Sequence, residues 1–369
     1  MNQKTPTWLD RAVIQTASLH PYVPGKSLEQ LLRETGLSKA IKLASNENPY
    51  GSPPAAIIAM QQACATTHRY PDGDSTALKK ALAKQHDVDP ARILLGNGSN
   101  EVLELLIRCF ADHKAQVIYS RRSFIVYALA TLAAGAHGVA VEDDADWGHD
   151  LVAMLAAVSQ YTRVVCIANP NNPTGTLLAN ASIQGFLDAL PRDVVVIVDE
   201  AYHEYVAETH ANSIAYLYHP GLVITRTFSK AYGLAGCRIG YGIGDAELIA
   251  CANRFREPFN LNSIGQAGAL AALGEQLWVK THVVKLLFER DVLEKALQER
   301  GLLLAHSDGN FVLLRHANAM RIHALMEQQG IILRPLVSYS MPDVLRVSVG
   351  TSAENHAFLR KLDQVLTQL

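Results

Sequence analysis

The sequence predicts an α/β fold: a three-layer arrangement around a mostly parallel sheet, accompanied by a smaller α+β domain. Three observations lead there. Short β-branched runs recur, each closed by turn residues and most followed by a helical pattern, which is the rhythm of strands buried under helices on both faces. Past about residue 262 the texture changes to a long helix-rich stretch and then shorter strands. Finally, 369 residues with 49% hydrophobic composition can bury more than one lobe.

Taken in order, the first 45 residues carry Pro6, Pro21, Pro24 and Gly25 with little periodicity, and read as an arm that packs elsewhere. RILLGNGSN followed by EVLELLIRCF predicts strand, loop and helix over 92–110. AQVIYS and then FIVYALATLAA repeat that pattern over 115–134. RVVCIANP (163–170), DVVVIVDEAY (193–202) and LVITRTFS (222–229) read as further buried strands, the second run ending at Asp199. Residues 263 to 300 read as helical, and NFVLLRH, GIILRPL and VLRVSVG as strands of the smaller body. The expected division is a large domain over 46–262, with 1–45 and 263–369 forming the arm and the small domain.

Thirty-three basic against 35 acidic residues give a net charge of −2, so no strong field points to nucleic acid or an anionic membrane. Any anionic ligand must be gripped locally. Cys64, Cys109, Cys166, Cys237 and Cys251 are odd in number and lack CxxC or zinc spacing, which suits free thiols in a reducing compartment. No apolar run reaches the length of a membrane span and the N-terminus lacks a secretory pattern, so the expected place is the cytoplasm. HEYVAETH (203–210) has no i, i+4 histidine pair, leaving His203 a structural role, and GxSxG and P-loop motifs are missing. No metal is expected.

The chemistry gathers at strand ends, where parallel sheets deliver functional groups. In TRTFSKAYGLAGCRIGY (225–241), Lys230 follows a buried strand. Burial there lowers an ammonium's pKa and makes the amine a nucleophile able to form an imine, although a lysine can also pack its stem and reach water. Thr227, Ser229 and Arg238 supply two hydroxyls and a guanidinium fork suited to phosphate. The nearby Gly233, Gly236, Gly240 and Gly242 let backbone pass close to a ligand, or shape turns. In GNGSNE (96–101), Ser99 and Asn100 can cap the following helix, whose free N–H groups would hold a second phosphate contact. That loop also admits a dinucleotide reading without the usual third glycine, with Arg121 and Arg122 placed for the 2′-phosphate of an NADP-dependent oxidoreductase. Asp199 ends its strand. It either caps the next turn or keeps a pyridinium nitrogen protonated, with Tyr202 donating to a ring hydroxyl. Asn172 of ANPNNPTG (168–175) precedes a proline that disfavours helix there, and turn chemistry alone also accounts for that segment.

ANPNNPTG, DEAY and TFSKAYGLAGCRIGY together resemble the motifs of class II aminotransferases of fold type I, which use pyridoxal 5′-phosphate. SLHPYVPGK, LASNENPYG, RYPDG and GNGSNE resemble the histidinol-phosphate branch of that family, and the ordered match runs from about residue 19 to the end. The resemblance implies that Lys230 forms the imine with the cofactor aldehyde and moves the proton between Cα and C4′. It implies that Asp199 partners the pyridine nitrogen, that Tyr202 and Asn172 meet the phenolic oxygen, and that Phe124 lies over the ring. Ser99, Asn100, Thr227, Ser229 and Arg238 fall around the cofactor phosphate, with Tyr70 reaching the phosphate of a neighbouring subunit in a homodimer. Arg346 would grip the substrate's anion, Arg334 would be a second donor, and Tyr22 of the arm would close over it. The implied reaction is transamination between histidinol phosphate and 2-oxoglutarate, giving imidazole-acetol phosphate and glutamate. An aromatic amino-acid aminotransferase and a phosphothreonine-type decarboxylase are the rival activities, while a cofactor-binding regulator would need a DNA-binding module for which the chain leaves no room. One departure is SRRSF (120–124), where relatives commonly carry a proline-containing loop.

Overall fold

The computed structural model describes residues 8–19, 25–206 and 219–369. In chain order its strands are β1 (Ile41–Lys42), β2 (Ile93–Asn97), β3 (Gln116–Ser120), β4 (His137–Val141), β5 (Thr162–Ala168) and β6 (Val195–Asp199). They continue as β7 (Leu222–Thr227), β8 (Ile239–Ile243), β9 (Phe311–Arg315), β10 (Ile331–Ile332), β11 (Arg334–Leu336) and β12 (Met341–Ser348). Seven form one sheet in the order β2-β8-β7-β6-β5-β3-β4. Only β8 in it runs against its neighbours, so the sheet is mostly parallel.

The two faces can be read residue by residue from the period of two along each strand. Val164, Cys166, Val195, Ile197 and Val223 enter one core, beneath helices Ser99–Phe110, Val126–Ala133 and Ala246–Asn253. Val165, Ile167, Val196, Val198, Leu222 and Ile224 enter the opposite core, beneath helices Leu151–Ala156 and Asn180–Ala189. This is the three-layer architecture. The four apolar residues of β6 before Asp199 are all buried. Each contributes about 1.5–3 kcal/mol of burial, which offsets the several kcal/mol needed to carry a carboxylate inside.

The smaller body holds the three-stranded antiparallel sheet β11-β12-β9 and the parallel pair β1-β10, backed by helices Gln276–Glu299, Ala319–Gln328 and Ser352–Leu366. Helix Ser263–Leu273, grouped with this body in the sequence, packs on helix Pro54–Ala63: a Cβ at Gly268 would lie 2.7 Å from Met60 Cγ. Small residues on its face (Gly265, Gly268, Ala269, Ala272) permit that approach. Glycine-rich GCRIGYGIG contains a strand where the sequence suggests ligand-hugging backbone. Gly240 and Gly242 lie in β8, and a Cβ at Gly240 would meet Ser99 N at 2.2 Å. At Gly233 (φ 68°) the close neighbour is Gly51 O, 1.9 Å from such a Cβ, while Gly236 faces open space. The close approach is therefore of protein to protein. All five cysteines are free, and among the described residues no helix is long and apolar enough to cross a membrane.

Candidate active site

One pocket opens where β5, β6 and β7 end, lined by Ser99, Asn100, Phe124, Asn172, Asp199, Tyr202, Thr227, Ser229, Lys230 and Arg238, with Ala168, Pro170 and Ala201. The strand ends and the loop after β2 thus bring ten of the sequence-selected residues together. Arg346 stands behind Asn172, Arg334 lies opposite Arg346 across β11 and β12, and Tyr70 is elsewhere, exposed and stacked on Phe259 at 4.6 Å. Tyr22 lies outside the described residues.

Asp199 is buried, and its carboxylate accepts from Tyr127 Oη and Thr225 Oγ1, both at 2.9 Å. Burial pushes its pKa up, against those hydroxyls and the Ala201 backbone amide. A neutral donor set holds the carboxylate in place without matching its charge, so the pocket favours a cationic ligand atom there. Tyr127 escaped the sequence reading: in FIVYALATLAA it is one more apolar-face residue, and its helical spacing carries no sign that its hydroxyl meets a strand end.

Lys230 Nζ donates to Ser45 O at 3.0 Å and lies 5.7 Å from the Tyr202 ring centroid. Burial first, and then the Arg346 guanidinium, lower its pKa to about 7, so near neutral pH a large share of the amine is unprotonated. Tyr202 Oη accepts from Asn46 Nδ2 at 2.9 Å, and burial raises its pKa to about 12. Arg346 donates from Nη1 to Asn172 Oδ1 at 2.5 Å and from Nη2 to Ala44 O at 3.0 Å, with Phe311 beneath its guanidinium at 5.4 Å. Phe124 meets Tyr127 edge-on, ring centroids 6.0 Å apart.

Around the opposite end of the pocket, Arg238 Nη1 approaches Ser229 Oγ at 3.4 Å, and Ser229 N donates to Thr227 Oγ1 at 3.1 Å. Arg238 holds φ 57°, a left-handed conformation that costs a non-glycine residue on the order of 1–3 kcal/mol and is kept only where surroundings impose it. Its guanidinium lies across Gly98. Ser99 and Asn100 do not cap the helix as the sequence suggests: Gly98, at φ 82°, is the N-cap, and no side chain caps the helix. Gly240 of β8 presses on Ser99 N, so the chain must turn one residue earlier, at the glycine. The helix's first N–H groups and both side chains therefore remain for a ligand. Gly98→Ala would place a Cβ 2.4 Å from Arg238 Nη2 at a positive φ. It is expected to lower stability by about 1–3 kcal/mol in urea unfolding and to weaken phosphate binding; unchanged values for both would remove the close approach.

Arg121 pairs with Glu142, and Arg122 with Asp143 at 3.1 Å while stacking on Trp147. Both arginines are committed to carboxylates, which leaves the dinucleotide reading without its 2′-phosphate partner. No metal-binding cluster occurs among the described residues.

An elongated ligand with a phosphate at one end and a protonated ring nitrogen at the other matches this donor set, with the amine of Lys230 between. Pyridoxal phosphate has that form. A sequence profile described as aminotransferase class I and II matches residues 38–362. The chain belongs to that family. Relatives carrying the name histidinol-phosphate aminotransferase include one from Methylobacillus flagellatus, 44% identical over 97% of this chain and 98% of its own. Another, histidinol-phosphate aminotransferase 2 of Nitrosospira multiformis, is 46% identical over 96% of this chain and 91% of its own. Among solved structures, histidinol-phosphate aminotransferase from Sinorhizobium meliloti in complex with pyridoxal-5′-phosphate superposes with a TM-score of 0.89 at 30% identity, covering 97% of this chain and 98% of that one. The likeness of this aminotransferase to these relatives covers 96–97% of its chain, smaller body included.

Proposed function

We propose that this aminotransferase exchanges the amino group between histidinol phosphate and 2-oxoglutarate, holding pyridoxal 5′-phosphate, as a homodimer in the cytoplasm. The observation that carries the reading is the confrontation of Lys230, its pKa drawn to about 7, with a buried strand-end carboxylate and a set of phosphate donors in one pocket. Relatives at 44% and 46% identity that bear the histidinol-phosphate name support the substrate.

Pyridoxal phosphate, when bound, supplies the aldehyde that takes up the amino group and the ring that accepts electron density from Cα. Asp199 keeps a proton on the ring nitrogen, and Tyr127 and Thr225 orient its carboxylate. Ser99, Asn100, Thr227, Ser229 and Arg238 hold the phosphate and so fix the ring's distance from Lys230. With the cofactor bound, the Lys230 amine would be the group that moves the proton between the substrate's Cα and C4′. Tyr202 and Asn172 hold the phenolic oxygen, and Phe124 covers the ring and limits water. Arg346, with Arg334 as second donor, grips the substrate's anion and orients Cα toward Lys230. Tyr70 reaches the phosphate of the neighbouring subunit. That role is supported by its 82% exposure, away from its own pocket, by its stacking on the exposed Phe259, and by the exposed Ile57, Ile58 and Leu270 on the packed helices Pro54–Ala63 and Ser263–Leu273.

The deciding measurement is a side-by-side kcat/KM comparison of histidinol phosphate, phenylalanine and tyrosine with 2-oxoglutarate. Histidinol phosphate is expected to lead by at least about tenfold, through its phosphate dianion at Arg346. A lead for phenylalanine would transfer the assignment to an aromatic aminotransferase.

A further inference from the structure

Glu101 stands one residue past the phosphate donors, in the first turn of helix Ser99–Phe110. Its carboxylate accepts from Asn97 N at 2.5 Å and from Asn260 Nδ2 at 2.6 Å. The oxygen of that Asn260 amide accepts from Arg256 Nη1 at 2.9 Å, and the same guanidinium nitrogen donates to Gly73 O at 2.8 Å. Gly73 lies in RYPDG, the turn that carries Tyr70. Hydrogen bonds thus run without a break from the loop that lines this subunit's pocket to the turn whose tyrosine is exposed outside it.

Tyr70 is seated on Phe259, with ring centroids 4.6 Å and planes 21° apart. Phe259 holds φ 56°, a left-handed conformation that a bulky residue keeps only where its surroundings impose it. Core burial is not what imposes it, since the residue is 44% exposed. Asn260, next in the chain, is pinned between Glu101 and Arg256, and a Cβ at Gly73 would lie 3.3 Å from Phe259 Cε1. The strain under Tyr70 is therefore held by the contacts that join the two loops.

Resting on the homodimer and the role of Tyr70 given above, we propose that Glu101, Asn260 and Arg256 couple the two cofactor sites, as positioning residues. Phosphate bound in one subunit fixes the Tyr70 that this subunit lends to its neighbour. The physical cause is competition at one helix terminus. A phosphate at Ser99 and Asn100 takes the free N–H groups and brings a second anion beside Glu101. Like charges repel, so the carboxylate is pressed onto Asn260, and the seat of Tyr70 tightens. An empty site leaves Glu101 shared between the terminus and Asn260, with the seat looser, so a ligand at one site shifts a balance felt at the other.

The test is titration of the dimeric apoprotein with pyridoxal phosphate, followed by fluorescence and resolved into the affinities of the first and second sites. In wild type the second cofactor should bind about fivefold more tightly than the first, after the statistical factor for two equal sites. In Glu101→Gln and in Asn260→Ala the two affinities should become equal. The glutamine oxygen can still accept both N–H groups, so a loss of coupling in Glu101→Gln reports the missing charge and not a misfolded loop. Equal affinities in wild type, or a difference that survives in either variant, overturn the inference alone. Tyr70→Phe that binds the cofactor as wild type does removes the role of Tyr70, and the inference with it.

Discussion

Lys230→Ala is expected to lower transamination by at least about 10³-fold while the protein remains folded and still takes up pyridoxal phosphate, because general acid–base and covalent roles are lost together. Arg238, Ser229 and the first turn of helix Ser99–Phe110 stay in place, so the phosphate keeps its grip. Borohydride should fix the cofactor covalently to wild type at Lys230 and leave the variant unmodified, as read by mass spectrometry. The pH dependence follows from the depressed pKa of about 7. The neutral amine attacks an aldehyde, so the rate at which apoprotein combines with pyridoxal phosphate should climb through pH 7 and level above it, well below the ordinary lysine value of about 10.4. Retained turnover in the variant would remove the role assigned to this lysine, and a rate that climbs only near pH 10 would remove the effect of Arg346 and burial upon it.

Asp199→Asn is expected to cost roughly 10²–10³ in kcat, since the isosteric amide keeps the packing but loses the charge that retains a proton on the ring nitrogen. Thr225 and Tyr127 would still meet the side chain, so thermal stability is the control that separates chemistry from folding. Binding of pyridoxal phosphate, followed by fluorescence, should weaken in parallel. A variant with wild-type kcat would sink the assignment of Asp199 and with it the electrostatic account of the pocket.

Much of this was legible in the sequence, because buried strands and their ends have strong signatures. VVIVD is apolar until its last residue, so the aspartate marks the strand end as a place where a turn or a ligand must meet a carboxylate. The residues legible at the site from their surroundings are those whose chemistry is out of place, Lys230 after an apolar run and Asp199 at a strand end, whereas Arg346 inside VLRVSVG is carried by the family resemblance alone. Tyr127 was invisible for the opposite reason, since a tyrosine on a helix's apolar face is ordinary and its hydroxyl acts only through a residue 72 positions away. The cap at Gly98 was misread because Ser and Asn are the better side-chain caps. Tertiary contact with β8, a strand hidden behind its glycines, overrode that preference. Helix Ser263–Leu273 follows a change of texture at residue 262, yet its small-residue face fits helix Pro54–Ala63, and no local pattern says which body a helix will join.

Asp199 lies opposite Thr225 in the pairing of β6 with β7, and each of the next rungs carries a different duty: Arg226 turns away to Glu200 at 2.8 Å, while Thr227 returns to the pocket. A slip of this pairing by one residue exchanges the faces. It would send a guanidinium toward Asp199, turn both threonines outward, and move Lys230 along the sheet. Hydrophobic burial discriminates poorly against such an error here, because β6 and β7 are buried on both sides. The alternating threonine and arginine supply the missing discrimination, so a chain that captures its cofactor has already been proofread at its central strands.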